Sequence, residues 1–378
     1  MFLYFTHELT SRRLRHLLGI GVVTVLFFIT NLFANENALT PAWFVRGKIL
    51  NAKYYSTRRN WKCEELTQTD GEHAPNLTFI STEEVERKII GENIQEVTSS
   101  LSVINSEGFD IFNMTSLRQT FNRSAINFSD DFAYLPGGHW KPRKFNDSSK
   151  VALLVPFRNR EQVLGVFLRH MVPFLLRQRL EFTIFIIEQA NNLKFNRGML
   201  ANVGFKESLR FEDWDCIILH DIDFLPRYNN NSYTCKNMPR HLMSGIEKRP
   251  KLLPSEFNGV TGFSREQFVM MNGAPNRYWG WGGEDHDLRT RAEVKGFNIS
   301  RTQWPYGYYD HIPHASHKDS DTEPKRREYV KQAEIYLSQD GLSNLNYPKP
   351  EVYFHPLYVH IMVNISKLPR PKPRRNSR

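Results

Sequence analysis

Two aspartates separated by one residue are the first side chains in this sequence that could do chemistry. Asp221 and Asp223 come directly after a short apolar run that begins at Cys216. Carboxylates two positions apart on extended backbone point to the same side, where their charges repel unless a cation lies beside them. A divalent metal ion that holds a diphosphate would satisfy both. Because Asp-x-Asp is also common in surface loops, other parts of the sequence must support this interpretation.

Arginine and aromatic side chains follow two other apolar runs. Pro156, Arg158 and Arg160 come at and after the end of the first run, and Phe195 and Arg197 come after the second. An arginine fork suits a diphosphate, and an aromatic face suits a ring such as uracil. Arginines beside strands are usually solvated, so each of these pairs is a weak signal when taken singly.

A loop rich in tryptophan and glycine precedes two further acids. The segment from Asn276 to Asp285 contains three aromatic residues and three glycines before Glu284 and Asp285. A mobile loop that stacks against a sugar ring needs this combination of hinges and platforms. A plain turn is the alternative, but tryptophan is seldom left exposed without a role.

Two histidines lie close together farther along the chain, at His311 and His314 with Pro313 between them. Together with Asp223 they would form a mixed carboxylate and imidazole set. Such a set suits Mn²⁺ better than a structural zinc ion. Isolated histidines are more often surface or core residues, so this interpretation depends on Asp223.

The apolar pattern predicts the elements that position these residues. Residues 151–157, 182–187 and 216–219 are predicted strands, and residues 161–179 and 197–210 are predicted helices, the first ended or kinked by Pro173. This alternation predicts an α/β fold with a parallel sheet and right-handed crossovers. Ligands bind such sheets at the carboxyl ends of the strands, which is where the acids and arginines fall.

The N-terminal region predicts a membrane anchor. The chain has 378 residues, and residues 17–34 contain no charge while Arg12, Arg13 and Arg15 precede them. This pattern predicts a type II protein with a cytoplasmic tail at 1–16 and a transmembrane helix at 17–34. A cleaved signal peptide is the alternative, although the apolar run is long for one.

The remaining chain is then lumenal. Residues 35–130 are polar and predict a stem with only short periodic pieces such as 82–93, residues 131–366 predict a catalytic domain, and residues 367–378 predict a basic disordered tail. The net charge of +10 is spread along the chain without a nucleic-acid-binding motif, so nucleic acid is not an expected partner. Eight sequons could carry glycans: Asn76, Asn113, Asn122, Asn127, Asn146, Asn230, Asn298 and Asn364.

Three cysteines in a secretory chain allow one disulfide. Cys216 and Cys235 flank the two aspartates and are the expected pair. Cys63 is then left over, and either remains a free thiol or links two chains into a homodimer.

Taken together, the motifs resemble those of the beta-1,4-galactosyltransferase family. The resemblance runs from about residue 135 to about residue 365 and includes the His314 region. It is carried by these segments: Phe157-Arg-Asn-Arg160, Phe195-Asn-Arg197, Asn202-Val-Gly-Phe205, Asp221-Ile-Asp223, Trp279-Gly-Trp-Gly-Gly-Glu-Asp285 and Asp340-Gly-Leu342. The family implies a Golgi type II membrane protein with a GT-A, Rossmann-like domain. It also implies Mn²⁺-dependent, inverting transfer from a UDP-sugar, usually to N-acetylglucosamine.

The resemblance also implies a role for each matching residue. Asp285 would be the general base beside Glu284, and Asp223 and His314 would bind the metal, with His311 at a position where many members have methionine. The donor would contact Pro156, Arg158, Arg160, Phe195, Arg197, Asp221 and Glu256. The acceptor would contact Trp281, Gly282, Gly283, Glu284, Asp285 and Arg326. Cys216 and Cys235 match the family's disulfide near the metal, and Phe145 stands where its other disulfide has a cysteine.

Two departures from the family pattern bear on substrate choice. His286 stands where an aspartate is usual after the base, which concerns the acceptor. Glu256 and Asn258 replace a tyrosine and a glycine, which concerns the donor sugar and makes UDP-GalNAc an expected donor beside UDP-Gal. Two alternatives remain open: a galactosyltransferase that acts on xylose of proteoglycan linkers, and an inactive relative that only binds sugar.

Overall fold

The computed structural model describes residues 72–106, 126–127, 129–144, 148–313 and 322–369. All of them belong to one compact unit, Leu66–Arg378. The predicted cytoplasmic tail and anchor, Cys63 and most of the basic tail lie outside the described residues. Within the described ranges, no helix is both long enough and apolar enough to span a bilayer.

The described elements form a mixed α/β structure. The helices are α1 (Thr82–Ile90), α2 (Ile94–Ser106), α3 (Glu161–Arg177), α4 (Arg197–Ser208), α5 (Arg265–Met270), α6 (Glu284–Val294), α7 (Arg326–Lys331) and α8 (Ala333–Tyr336), with 3₁₀ turns at Gly91–Asn93 and Leu342–Asn344. The strands are β1 (Ile126–Asn127), β2 (Phe132–Leu135), β3 (His139–Pro142), β4 (Lys150–Phe157), β5 (Glu181–Gln189), β6 (Cys216–His220), β7 (Phe224–Pro226), β8 (Arg240–His241), β9 (Gly245–Ile246), β10 (Val260–Ser264), β11 (Ser300–Arg301), β12 (Tyr308–His311), β13 (Glu351–Phe354) and β14 (Val359–Val363).

The three predicted strands form the centre of the main sheet. β4 lies between β5 and β6 and pairs with both in parallel, with Leu154 opposite Phe185 on one side and Leu219 on the other. All three strands are buried along nearly their whole length, as continuous apolar runs in parallel sheets are. The α/β prediction is therefore confirmed, and the carboxyl ends of these strands meet at one edge of the sheet.

Outside this centre the sheet is mixed, whereas the sequence predicted a parallel one. The strand order is β1-β2-β3-β5-β4-β6-β10-β8-β11, and β14 pairs with both β5 and β13. β10 runs antiparallel to β6, with Val260 opposite His220. Because β10 runs antiparallel to β6, the first residue of β10 lies opposite the last residue of β6. Gly259, which precedes β10, therefore lies beside the end of β6.

Pro173 does not end helix α3, which continues to Arg177. Buried Met171, Phe174 and Leu175 on both sides of the proline pack into the core. This burial outweighs the loss of one backbone hydrogen bond, because tertiary packing supplies most of the stability of an amphipathic helix.

Part of the predicted stem is folded onto the sheet domain. Six apolar side chains between residues 80 and 104 are buried: Ile80, Val85, Ile90, Val97, Leu101 and Ile104. Gly165 of α3 touches the segment before α1 so closely that a Cβ atom there would collide with the carbonyl oxygen of Ile80. Asn105 of α2 exchanges two hydrogen bonds of 3.1 Å with the backbone of Phe354. The folded region thus begins before residue 131, and periodicity revealed only one piece of it.

We expect a chain that begins at residue 131 to unfold at a lower temperature than one that begins at residue 72. The shorter chain loses the six buried side chains, each of which stabilises by about 1.5–3 kcal/mol. Differential scanning calorimetry should show a decrease in Tm of about 5 °C or more.

A point variant separates docking of α1 from other effects of truncation. Gly165→Ala should lower Tm in the longer chain, because its Cβ forces the Ile80 backbone away. Lys88→Ala is the matched control, since it removes only an exposed pair with Glu84. Equal Tm values for the two variants would contradict the docking.

Candidate active site

The two aspartates of the Asp-x-Asp motif lie in a turn between β6 and β7. The backbone N–H of Phe224 donates to the carbonyl oxygen of Asp221 at 3.3 Å, and the N–H of Asp221 donates to Gly259 at 3.1 Å. The expectation of extended backbone here is wrong, because β6 ends at His220. The turn gives the carboxylates different partners: Asp221 pairs with Arg197, and Asp223 faces His311.

Backbone pairing places His311 beside Asp223. β12 runs antiparallel to β7 with His311 opposite Phe224, and the N–H of Ile312 donates to the carbonyl oxygen of Asp223 at 2.8 Å. The imidazole Nε2 therefore lies 3.2 Å from Asp223 Oδ2. Pairing of two strands, rather than a side-chain network, fixes this distance.

The Asp223 and His311 pair fits a divalent cation. Metal–ligand bonds of about 2.1 Å place neighbouring ligand atoms about 3 Å apart, close to the separation seen here. A carboxylate with an imidazole also suits Mn²⁺. Within the described ranges, no group of three such side chains converges on one point, and His314 lies outside those ranges.

A buried chain of hydrogen bonds supports the turn from below. His220 Nδ1 lies 2.8 Å from the carbonyl oxygen of Asp221, and Nε2 lies 2.9 Å from the hydroxyl of Tyr233. Tyr233 in turn contacts the hydroxyl of Tyr309 at 2.9 Å, which accepts from Asn231. Since a carbonyl only accepts, Nδ1 carries the proton and every donor in the chain points toward Asp221. Burial lowers the pKa of His220 to about 4, so the ring stays neutral.

Arg197 joins Asp221, a predicted donor contact, to Asp285, the predicted base. Its Nε donates to Asp221 Oδ1 at 2.6 Å, its Nη1 to Asp285 Oδ1 at 3.0 Å and its Nη2 to the carbonyl oxygen of Gly259 at 3.5 Å. The three acceptors come from the end of β6, the start of α6 and the turn before β10. We call this arrangement, with Arg197 at its centre, the arginine clamp.

The clamp offsets a concentration of negative charge. Burial raises the pKa of Asp285 well above its usual range, Glu284 and Asp221 raise it further, and Arg197 opposes the shift. Burial likewise raises the pKa of Asp221, and Arg197 again opposes it. Burial opposes the charged form of Arg197, yet attraction to the carboxylates raises its pKa. A carboxyl with a raised pKa is a stronger proton acceptor, as a general base requires.

Buried asparagines hold the segment that carries Arg197. Asn196 caps α4 by accepting from Met199 at 2.9 Å, and its amide donates to the carbonyl oxygen of Asn276 at 2.6 Å. Asn202 donates to the side chain of Asn276 at 2.8 Å, and Asn276 donates to Gly341 at 2.7 Å. The Asn202 and Asp340 segments of the family pattern thus position the site from beneath. Sequence reasoning had given them no role.

The predicted donor contacts lie along the same edge. Buried Pro156 is the second-last residue of β4, and Arg160 lies at the N-terminus of α3 with part of its surface exposed. The Arg158 guanidinium stacks over the ring of Phe195 at 5.2 Å from its centre and donates to Leu193 at 2.5 Å. Phe195 and Arg158 form a half-exposed pair of flat surfaces, as binding of a nucleotide's uracil ring requires.

The tryptophan loop is held by backbone contacts at Trp279, Gly280 and Trp281. Gly280 donates to the carbonyl oxygen of Phe195 at 2.8 Å, and Trp281 forms a bridge with Thr322. Buried Glu323 accepts from the backbone of Trp279 at 3.3 Å and of Lys325 at 3.0 Å. The side chain of Trp281 remains 52% exposed. Glu323 is a site residue that no sequence motif indicated.

Glycine is required where this loop enters α6. Gly283 has φ of 101°, and a Cβ atom there would lie 2.8 Å from the Tyr278 ring and 3.0 Å from Arg326. Arg326 also covers Gly282, with its Cδ 3.1 Å from where a Cβ atom would stand. The structure therefore brings the predicted acceptor residues Trp281, Gly282, Gly283 and Arg326 together at the start of α6.

Helix α6 is fixed by buried charges. Asp287 accepts from Arg291 at 2.7 Å, from Arg277 at 3.1 Å and from the Tyr278 hydroxyl at 2.9 Å. Both arginines also approach Asp340 at 3.5 Å. Two arginines and two aspartates balance one another, and this buried network sets the position of Asp285 two residues away from Asp287.

Glu256 lies in the turn that ends at Gly259, next to the clamp. One carboxylate oxygen pairs with Arg249, and the other is buried without a hydrogen-bond partner in the described part of the chain. The backbone carbonyl of Glu256 accepts from Arg301. The glutamate is therefore held in place at both its side chain and its backbone.

The remaining assigned residues are the cysteine pair and the sequons. Cys216 and Cys235 form a disulfide with Cα atoms 5.2 Å apart, which ties β6 to the segment before β8. The sequons at Asn76, Asn230, Asn298 and Asn364 are exposed, and Asn127 lies in β1. Asn113, Asn122 and Asn146 lie outside the described residues.

Two family models match this chain. Residues 115–236 match the N-terminal region of glycosyl transferase group 7, and residues 240–315 match the N-terminal domain of galactosyltransferase. Together these regions include just over half of the 378 residues. The matched regions contain the predicted donor residues, Asp223 and Asp285.

Curated proteins and a solved structure agree with this match. Human beta-1,4-galactosyltransferase 6 is 43% identical over 240 residues, and mouse beta-1,4-galactosyltransferase 5 is 45% identical over 241 residues. Each alignment includes 63% of this chain and spans only 62% of the relative's length. A Drosophila beta-1,4-galactosyltransferase 7 mutant, solved with manganese, UDP-Gal and xylobiose, is 31% identical with a TM-score of 0.50. That alignment covers 57% of this chain and 93% of the solved one.

The fold and the arrangement of acids at the sheet edge define a GT-A-like glycosyltransferase domain. The chain belongs to the beta-1,4-galactosyltransferase family, glycosyl transferase group 7.

We expect Asp287→Ala to lower the free energy of unfolding by about 3–5 kcal/mol, because it leaves Arg277 and Arg291 buried without their shared carboxylate. Urea unfolding followed by fluorescence would measure the change. Glu293→Ala on the same helix is the control, since it removes an exposed pair with Arg289 that stabilises by about 0.2–0.5 kcal/mol. A change in Asp287→Ala as small as in the control would show that the network does not fix α6.

Proposed function

We propose that this protein is an inverting, Mn²⁺-dependent glycosyltransferase. It moves N-acetylgalactosamine or galactose from a UDP-sugar to the 4-hydroxyl of a terminal β-linked N-acetylglucosamine on glycoproteins or glycolipids. The observation that carries the proposal is the arginine clamp, which joins Asp221 at the donor side to Asp285 at the acceptor side. Asp223, two residues after Asp221 in the sequence, forms the pair with His311.

Each part of the site has a distinct task in this proposal. Phe195 and Arg158 bind the uracil and Arg160 the diphosphate, while Trp281 and Arg326 cover the acceptor sugar. Asp285 takes the proton of the acceptor hydroxyl while the hydroxyl oxygen attacks the anomeric carbon and the bond from that carbon to UDP breaks. This single displacement inverts the configuration. Asp223, His311 and His314 would hold Mn²⁺, which neutralises the charge of the leaving UDP.

The proposal includes a location. An anchor at residues 17–34, with the folded unit on the lumenal side, would make this a single-pass type II protein of the Golgi membrane. Exposed sequons at Asn76, Asn230, Asn298 and Asn364 are consistent with a lumenal surface.

A second candidate acceptor is xylose. The solved Drosophila relative is a complex with xylobiose, and its sequence is 31% identical to this one. The curated relatives named beta-1,4-galactosyltransferase 5 and 6 are more similar, at 43–45%. Those names state no acceptor, so we place N-acetylglucosamine first because the family resemblance implies it as the usual acceptor.

A donor-by-acceptor panel tests the proposed function. The full chain, purified with Mn²⁺, is incubated with UDP-Gal or UDP-GalNAc and either β-linked N-acetylglucosamine or xylose acceptors. Transfer to N-acetylglucosamine is the expected result. Transfer to xylose alone would replace the acceptor, and no transfer with any pair would contradict the enzymatic proposal.

Asp285→Asn should reduce turnover by about 10²-fold or more, because the amide keeps the shape of the side chain but cannot accept the hydroxyl proton. Affinity for UDP, measured by calorimetry in Mn²⁺, should stay the same. A mild loss of turnover would return the role of base to Glu284 or His286.

Asp223→Ala should abolish metal-dependent transfer and weaken binding of Mn²⁺ while the protein stays folded, because Asp223 lies at the sheet edge outside the core. Electron paramagnetic resonance of Mn²⁺ measures binding without relying on activity. Asp213→Ala is the control, since this exposed aspartate pairs with Arg265 away from His311. Mn²⁺ binding as tight as in the control would remove Asp223 from the metal site.

The donor sugar depends on Glu256. The turn from Glu256 to Gly259 lies against Asp221, and Glu256 offers no aromatic ring that would exclude an acetamido group. Its second carboxylate oxygen is buried and has no partner in the described residues, so the proposal requires the turn to open before this oxygen accepts the N–H of that group. We therefore expect UDP-GalNAc to be used at least as well as UDP-Gal.

Glu256→Tyr should shift the donor preference toward galactose by roughly 1–3 kcal/mol, the range expected for filling a small pocket. The ratio of kcat/KM for the two donors on one N-acetylglucosamine acceptor measures this shift. Arg249→Ala is a useful companion variant, because it frees Glu256 without adding bulk. Strong preference for UDP-Gal in the unmodified enzyme would show that the Glu256 argument is wrong.

A further inference from the structure

The hydrogen bonds of Arg197 are directed at protein atoms. Each of its three guanidinium nitrogens has an acceptor: Asp221, Asp285 and the carbonyl oxygen of Gly259. Its side chain is 14% exposed, less than either carboxylate that it holds. Three of its five N–H groups are used in this way, so only two remain for another ligand.

The backbone on both sides keeps Arg197 in this position. Asn196 is fully buried, and its N–H donates to Gln189 at 2.9 Å while its side-chain amide donates to Asn276 at 2.6 Å. Arg197 itself begins helix α4. Movement of the guanidinium toward another ligand would leave Asp221 and Asp285 facing each other without a counter-ion.

Arg158 provides the contrast. Its guanidinium lies over the half-exposed ring of Phe195 and donates a hydrogen bond to the carbonyl oxygen of exposed Leu193. Among the described residues, no carboxylate forms an ion pair with this guanidinium. Arg158 is therefore the better nucleotide contact of the two arginines.

We infer that Arg197 is a positioning residue that aligns the base Asp285 with the donor-side Asp221, and that it does not bind the diphosphate. This inference rests on the proposed function, since it assigns Asp285 the role of base. Because one rigid guanidinium holds both carboxylates, the position of Asp285 depends on the position of Asp221.

Arg197→Gln should reduce kcat by about 10²-fold, the effect of a small displacement of a reacting group, while the Kd for UDP in Mn²⁺ changes less than about twofold. Arg158→Gln, the matched control, should weaken UDP binding instead. Arg197→Lys should restore part of kcat, because it keeps the charge but cannot make the fork. A weaker Kd for UDP with unchanged kcat in Arg197→Gln would overturn the inference.

A second measurement needs no activity. Without ligands, Arg197→Gln should lower Tm by about 2–6 °C, because two carboxylates lose their counter-ion. Adding Asp221→Asn to the same chain should recover part of this loss by removing one of the two charges. An unchanged or higher Tm in Arg197→Gln would also overturn the clamp. If the unmodified protein transfers no sugar, the proposed function fails, while this stability test still decides whether Arg197 holds the two carboxylates together.

Discussion

Repulsion among carboxylates is the constraint on which this site depends. Asp221, Asp223, Glu284 and Asp285 lie around one edge of the sheet, and burial makes their shared negative charge unfavourable. Within the described residues, Arg197 is the cation that contacts two of them directly. A site built in this way is ready for further positive charge, and the Asp223 and His311 pair provides a place for it. The acids thus favour a divalent ion by electrostatics as well as by ligand type.

A second layer of polar groups holds the first in place. The asparagines at 196, 202 and 276 join the start of α4 to the tryptophan loop, and the Asp287 network joins α6 to the turn at Asp340. Apart from the Arg277 Nε, the groups named in these two networks have hydrogen-bonded partners, which limits the penalty of burying them. The two networks meet where the Asp340 carboxylate accepts from the Asn276 N–H at 3.1 Å. The same buried groups therefore hold both Arg197 and Asp285, the proposed base. Precise placement of the catalytic groups therefore depends on residues that never reach the substrate.

The sequence predicted the centre of the fold well and its periphery poorly. Continuous apolar runs at 151–157, 182–187 and 216–219 could only be buried strands, so the parallel centre followed from them. The docking of α1 and α2 depends on contacts with Gly165 and Phe354, which are distant in the sequence. Glu323 escaped notice for the same reason, because its partners are backbone N–H groups that carry no sequence signal. Motifs named side chains that the fold brings together at this edge of the sheet, but only contacts in the folded chain show that Arg197 holds two carboxylates.

Two different kinds of force fix the proposed metal pair, Asp223 and His311, and the proposed base, Asp285. Asp223 and His311 are brought together by the backbone ladder of β7 and β12, which survives changes of side chain. Asp285 has no such ladder, since it lies at the first turn of a helix whose position depends on buried charges and on Gly283. Substitutions near the metal pair should then alter which ion binds before they alter the fold, whereas substitutions behind α6 should misplace the base. In such a site the metal preference can vary with His311 while the geometry of proton transfer stays constrained by Asp287, Arg291 and Arg197.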